Sequence, residues 1–317
     1  MRILITGAAG FIGFNLSNFL VKNNYTVFGI DNFDKYYSVP LKKKRLNILK
    51  KNKNFIFNKI DINDKKKLKD FFKGKKIDII INLAAQAGVR HSFENPVKYI
   101  DVNILGFLNL IEEAKNNKIK KFIYASSSSV YGENKNFPLQ ENEQLSPKNI
   151  YAVSKKMNEE IAEMHQNLDK IAFVGLRFFT VYGEWGRPDM FMMKLFKSQT
   201  KNKNFYLNNY GNHLRDFTYI GDVVKAVGKL IKKRFTKHEI FNICSNNPVN
   251  IYDVVKNFNK KYPVKVKLIK LHKADILKTH GSNKKLNKNI SKIKYSNFYN
   301  TFYKTFEWYK KNKIYKF

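Results

Sequence analysis

The chain has 317 residues, 43% of them hydrophobic and 27% charged, with a formal net charge of +35. That length and apolar fraction suffice for one large core or two smaller ones, and exclude a fibrous or disordered chain. The charge invites nucleic acid as a partner, yet the positive residues are nearly all lysine, scattered among Asn, Ile, Phe and Tyr without a nucleic-acid-binding motif, so an anion-attracting surface with no nucleic-acid function is expected.

A strand is predicted over residues 2–6. It breaks into Gly7, Gly10 and Gly13, spaced by three, and runs on into a helix over 11–22 that opens with Phe11 and Ile12. Gly7 permits a tight turn, Gly10 the approach of backbone to a pyrophosphate, and Gly13 close packing of helix on strand. A second strand, 26–30, ends at Asp31, followed by Asn32. A carboxylate there bonds a ribose 2′-hydroxyl and repels a 2′-phosphate, so NAD is expected over NADP. Further strands are predicted at 54–59, 77–83, 120–125 and 171–177, with helices near 40–51, 64–73, 95–116 and 151–167. Lysine runs at 42–44 and 65–67 read as solvated helix faces. This alternation predicts an α/β fold with a doubly wound parallel sheet. Ligands of such sheets lie beyond the carboxyl ends of the strands. The glycines, Asp31, Asp61 with Ile62, Leu83, Ala84, Ala85 and the serines 126–129 then share one crevice.

After residue 180 the alternation weakens. Loops are expected around 184–189 and 208–213, and a short strand at 240–243 that rejoins the sheet. The chain divides into a dinucleotide-binding domain, 1–180 plus 217–243, and a smaller interleaved domain, 181–216 plus 244–317. No apolar run reaches the roughly 18 residues that span a bilayer, and no export signal emerges; a cytoplasmic protein is expected. The single Cys244 excludes an intramolecular disulfide. The histidines show no metal-ligand spacing, so no metal is expected.

The stretch YAVSK at 151–155 sets Tyr151 and Lys155 one helical turn apart on one face. An ammonium beside a phenol lowers a pKa that starts at about 10, which yields a general base near neutral pH. The pair follows a strand end, ASSSSVYG at 125–132, whose hydroxyls can hold the substrate oxygen that Tyr151 deprotonates. Where lysine is used so freely, a retained arginine points to a need for its planar fork. Arg90, Arg177, Arg187 and Arg215 fall in motif-like segments. Arg2, Arg45 and Arg234 do not, and read as chance survivals.

This constellation resembles the extended short-chain dehydrogenase/reductase superfamily, and within it the NAD-dependent epimerase/dehydratase family, from Met1 to about Asn250. The resemblance implies a Rossmann-type fold with an interleaved C-terminal substrate domain. It makes Ser127 the catalytic hydroxyl, Tyr151 the base, Lys155 the partner of the nicotinamide ribose, and Asn103 the structural asparagine beside the cofactor. Dehydratases and decarboxylases of the superfamily carry an acid just after the catalytic hydroxyl. Ser128 and Ser129 stand there, which argues for epimerisation through a 4-ketose.

Three stretches resemble the UDP-glucuronate 4-epimerase family: DNFDKYY at 31–37, LAAQAGVR at 83–90, and RFFTVYG at 177–183 with WGRPDM at 185–190. In that family the residues matching Thr180 and Arg187 grip the uronate carboxylate, and the resemblance assigns Arg90 and Ser128 to the same sugar site. RDFTY at 215–219 resembles the segment whose arginine, here Arg215, binds the UDP pyrophosphate. KADI at 273–276 stands where the family has Gly-Asp-Val, making Asp275 the partner of the uridine ribose; Gly221 stands where the family often has Asp. Superfamily members pair helices like those near 95–116 and 151–167 across a two-fold axis, so a homodimer is expected. Three other readings stay open: a 4-epimerase of UDP-glucose or UDP-N-acetylglucosamine, a net oxidoreductase that releases its ketone, and a non-catalytic dinucleotide-binding regulator.

Overall fold

The computed structural model describes residues 1–271 and 276–317. In chain order the strands are β1 (Arg2–Thr6), β2 (Thr26–Asp31), β3 (Phe55–Lys59), β4 (Ile79–Asn82), β5 (Lys121–Ser127), β6 (Ala172–Phe178), β7 (Thr180–Tyr182), β8 (Phe205–Asn208), β9 (Leu214–Tyr219), β10 (Glu239–Ile243), β11 (Pro248–Asn250) and β12 (Val266–Ile269). Seven of them form a parallel sheet in the order β10-β6-β5-β4-β1-β2-β3. Successive residues feed opposite faces, as the pleat requires. Ile3, Ile5, Val27, Ile81 and Ile123 enter one core, and Leu4, Phe28, Ile30, Ile80 and Phe122 the other. Helices cover both faces, which is why the strands read as continuous apolar runs. Helices Phe11–Lys22, Val39–Leu49 and Ile220–Lys232 lie on the first face; Lys65–Phe72, Gly106–Asn116 and Ile150–Asp169 lie on the second.

The sheet grows outward from β1 to β3, then crosses back and continues from β4 on the other side. The carboxyl ends of β1 and β4 therefore flank a topological switch point, where a crevice opens. The expected strands of this sheet are all present, within two residues at each end. Two smaller sheets were not expected: β11-β9-β7, and the parallel pair β12-β8. Their strands run three to six residues between loops, too short for an alternating pattern to stand out.

The single helix expected near 95–116 is broken. Short helices His91–Glu94 and Pro96–Ile100 lead into a π-turn, Asp101–Leu105, before Gly106–Asn116. The widened turn is held from outside: the Asn158 side-chain amide donates to the Asn103 carbonyl at 2.7 Å. Such turns recur beside functional sites.

A buried ion pair fixes the helix Ile150–Asp169 against the sheet. Arg177 of β6 donates to both Glu159 oxygens, at 2.9 and 2.7 Å, and the Ser126 hydroxyl donates to the same carboxylate at 2.5 Å. Arg177 also donates to the Tyr131 hydroxyl at 2.9 Å. Glu159 lies one turn beyond Lys155 and two beyond Tyr151, so this clamp sets the height of all three on the helix. Among the described residues, no helix is long and apolar enough to cross a membrane, and no cluster of His, Cys, Asp or Glu is placed to hold a metal.

Candidate active site

At the carboxyl end of β1 the backbone turns through Gly7, whose φ of +68° suits only glycine without strain. The helix from Phe11 starts with no side-chain cap, leaving first-turn N–H groups and the positive end of the helix dipole for an anion. A Cβ on Gly13 would stand 2.1 Å from the Gly7 carbonyl oxygen, so the cradle closes only around glycine. Beside it, Asp31 accepts the Ala9 N–H at 3.0 Å and the Phe33 N–H at 2.8 Å. Burial raises the Asp31 carboxyl above its ordinary range, against the pull of these N–H groups and the charges of Lys42 and Arg45.

Gly7, Gly10, Phe11, Ile12, Gly13 and Asp31 line one crevice of about 670 Å³. Asn32, Asp61 and Ile62 line it too, with the Asn32 amide donating to Asp61 at 2.8 Å. Leu83, Ala84 and Ala85 form its wall at the end of β4. An uncapped helix end, a glycine cradle and a buried acid fit a dinucleotide's phosphates and ribose.

The residues expected to react lie further along the same crevice. Ser127 closes β5, and its Oγ accepts the Ser129 hydroxyl at 2.9 Å. The Tyr151 phenol lies within the influence of the Ser127 hydroxyl. Ser127, Ser128, Tyr151 and Lys155 all line the crevice. Burial raises the Tyr151 phenol; the Ser127 hydroxyl and the Arg187 charge pull it back. The cation lowering this phenol is Arg187, where the sequence pointed to Lys155. Burial depresses Lys155 itself to about 8, weakening its hold as a cation.

Arg187 lies in the loop after β7 and donates to Asp189 at 3.0 and 2.5 Å. The Tyr36 hydroxyl donates to the same carboxylate at 3.1 Å, and the Arg187 guanidinium lies 5.5 Å from the centre of the Tyr36 ring. Burial and Asp189 push the Tyr36 phenol up to about 12. Thr180, Arg187 and Arg215 line the crevice. Arg215 donates to the Leu214 and Leu277 carbonyls, both at 3.0 Å, and to that of Ile276.

Two expected site residues lie elsewhere. Asn103 is buried behind the wall. Its Oδ1 accepts the Gln86 N–H at 2.8 Å, and its Nδ2 donates to the Gln86 carbonyl at 3.1 Å and the Ser154 hydroxyl at 2.9 Å. It shapes Gln86, a lining residue, and does not itself line the crevice. Arg90 is exposed, beside the helix His91–Glu94, and is not a lining residue. Asp275 lies outside the described residues.

Composition also misled in two places. Lys42, placed on a solvated face, is buried, lines the crevice and donates to the Asp34 carbonyl at 2.7 Å. Arg45, taken as a chance survival, is fully buried. Tyr36 and Asp189 were missed as site residues, although both lie in stretches that carried the family resemblance.

A model of the NAD dependent epimerase/dehydratase family matches residues 3–244. The chain belongs to that family, and NAD is its cofactor. It is 39% identical over 277 residues to the UDP-glucuronate 4-epimerase of Thermodesulfobacterium geofontis, covering 86% of this chain and 85% of that one. It is 40% identical over 302 residues to UDP-glucuronate 4-epimerase 4 of Arabidopsis thaliana, covering 89% of this chain and 69% of that one. The crystal structure of the Bacillus cereus UDP-glucuronic acid 4-epimerase in complex with UDP-glucuronic acid and NAD superposes with a TM-score of 0.91 at 31% identity, over 98% of this chain and 99% of that one.

Two expectations follow from this geometry. Gly13→Ala loses NAD during gel filtration, because the added methyl displaces the Gly7 carbonyl and opens the cradle; absorbance of the desalted protein measures it. Lys155 makes the cofactor-stripped protein more stable as pH rises. Its folded pKa is about 8 against an ordinary 10.5, so the unfolded chain binds more protons in that window and the penalty fades across it. The melting-temperature advantage of Lys155→Met over the native chain is therefore greatest below pH 8 and shrinks toward pH 10.

Proposed function

We propose that this protein interconverts UDP-glucuronate and UDP-galacturonate, acting as a UDP-glucuronate 4-epimerase through a 4-keto intermediate with retained NAD. The observation that carries this is that Ser127, Tyr151, Lys155, Thr180 and Arg187 line one crevice with the glycines of the dinucleotide turn. A base at the 4-hydroxyl and a carboxylate clamp on the neighbouring carbon are what a uronate epimerase needs.

NAD supplies reversible hydride exchange at sugar C4. The protein's part is to move the proton and hold the rest. Tyr151 takes the proton from the 4-hydroxyl and later returns it. Ser127 donates to the same oxygen as it becomes a carbonyl. Thr180 and Arg187 grip the carboxylate, and Arg215 holds the diphosphate, so the UDP end stays anchored while the sugar ring turns. Residues 1–180 with 217–243 serve the dinucleotide, and 181–216 with 244–317 the UDP-sugar.

The protein works as a homodimer. Val97, Leu105, Met164 and Leu168 are exposed by 69%, 51%, 48% and 69%, apolar side chains on the helical segments from Pro96 to Leu105 and from Ile150 to Asp169 that a second copy would cover. A cytoplasmic location suits its UDP-sugar substrate, and the basic surface attracts that polyanion.

Purified protein given UDP-glucuronate without added NAD is expected to yield UDP-galacturonate to a fixed equilibrium ratio. Conversion of UDP-glucose or UDP-N-acetylglucosamine instead would replace the uronate reading. Stoichiometric accumulation of NADH would mark a net oxidoreductase, and bound NAD without turnover of any UDP-sugar a regulator.

A further inference from the structure

We propose that Arg45 is a positioning residue for this reaction, joining the dinucleotide turn to the backbone that carries Arg187; this rests on reading Arg187 as the carboxylate clamp. Arg45 lies in the helix Val39–Leu49 and is 0% exposed. Its Nη1 donates to the Ala9 carbonyl at 3.0 Å and the Tyr37 hydroxyl at 2.8 Å. Its Nη2 donates to the Trp185 carbonyl at 2.5 Å and the Gly186 carbonyl at 3.3 Å. One planar group thus bridges the glycine turn, the loop after β2 and the residues just before Arg187.

These four acceptors are neutral oxygens, and Nε has no hydrogen-bond partner among the described residues; the Asp31 carboxylate is near enough to feel the charge but makes no bond to it. A fully buried cation whose hydrogen bonds all go to neutral oxygens is costly for folding, a cost that the Asp31 charge and the Tyr37 ring at 5.5 Å offset in part. What it holds is strained. Trp185 has a φ of +65°, the left-handed region that a bulky side chain rarely adopts. Its ring packs on Phe14 at 5.4 Å and Trp308 at 5.1 Å, and its carbonyl goes to Arg45. Phe14 belongs to the helix that starts at the glycine turn. Gly186 is held as well, its N–H donating to the Gly183 carbonyl at 3.1 Å. With Trp185 and Gly186 pinned, the direction in which the chain enters Arg187 is set.

Lysine cannot replace this fork. An ammonium is a compact donor and does not reach the acceptors that two edges of one guanidinium reach together. Purified Arg45→Lys is compared with the native protein and with Arg187→Ala. Its KM for UDP-glucuronate rises by more than its kcat falls, and kcat/KM drops on the order of 10²-fold, as small misplacements of a binding group do. The fraction of decarboxylated UDP-pentose product rises, as in Arg187→Ala, and less NAD stays bound through gel filtration. Should Arg45→Lys not fold, Tyr37→Phe, which removes one acceptor, gives the same shifts in smaller measure.

A lowered melting temperature with KM, product purity and NAD occupancy all native would overturn the proposal and leave Arg45 a structural cation. Should the native protein use a neutral UDP-sugar and not UDP-glucuronate, the clamp reading falls by itself. NAD occupancy of Arg45→Lys then decides on Arg45: native occupancy overturns the bridge to the dinucleotide turn.

Discussion

Tyr151→Phe turns UDP-glucuronate over roughly 10²–10⁴-fold more slowly than the native chain, the loss that follows removal of a general base. The substitution deletes one oxygen and little else. The ring keeps its edge contact with Tyr99, at 6.2 Å, and Ser127 keeps its bond from Ser129. NAD content and the affinity for UDP are therefore expected to stay native, with the deficit confined to kcat. The native rate should also climb with pH in the alkaline range, because burial holds the phenol above its ordinary value and only the ionised form accepts the proton. That limb disappears in Tyr151→Phe. Initial rates at saturating substrate across pH check both statements; a variant within a few-fold of native would remove Tyr151 from the role of base.

The parts of this molecule that were legible in the sequence are those governed by local rules. Buried parallel strands must be apolar throughout, so β1 to β6 stood out as runs. The glycines marked the dinucleotide turn because no other residue takes the Gly7 φ or the Gly13 contact. Tyr151 and Lys155 share a helix face by spacing alone. What stayed hidden depends on contacts distant in sequence. Arg45 acts on residues 36 positions before it and about 140 after it, and no pattern around it reports that. Lys42 sits in a lysine run that composition assigns to solvent, yet it is the one of the three that turns inward.

The charge of Arg187 on Tyr151 stayed hidden for the same reason. Helical spacing suggested Lys155, but the cation whose charge reaches the phenol comes from a loop after β7. Asn103 shows a role placed one step too close. Its type and position fit a site residue, and its hydrogen bonds are spent on Gln86 and Ser154. It supports the wall and the helix Ile150–Asp169 from behind.

Arg187→Ala weakens kcat/KM for UDP-glucuronate by roughly 1.5–3 kcal/mol, the worth of a hydrogen bond to a charged group, and makes the enzyme leak carbon dioxide. The 4-keto intermediate of a uronate is a β-keto acid. If its carboxylate swings so that the C5–C6 bond aligns with the C4 carbonyl, that bond breaks. Its electron pair enters the carbonyl as an enolate, carbon dioxide leaves, and a proton from solvent completes a UDP-4-keto-pentose. A carboxylate gripped by Arg187 is kept out of that alignment. The single variant also strands Asp189, whose carboxyl is held below its ordinary range by Arg187 against the effect of burial. Arg187→Ala with Asp189→Asn removes that orphan, so whatever defect remains belongs to the lost grip. Both variants should show the pentose, and both should shift the alkaline limb of the rate profile upward, because Arg187 no longer lowers the Tyr151 phenol. Chromatography of the UDP-sugars and rate–pH profiles read the two effects separately; native turnover with no pentose in the double variant would refute the clamp.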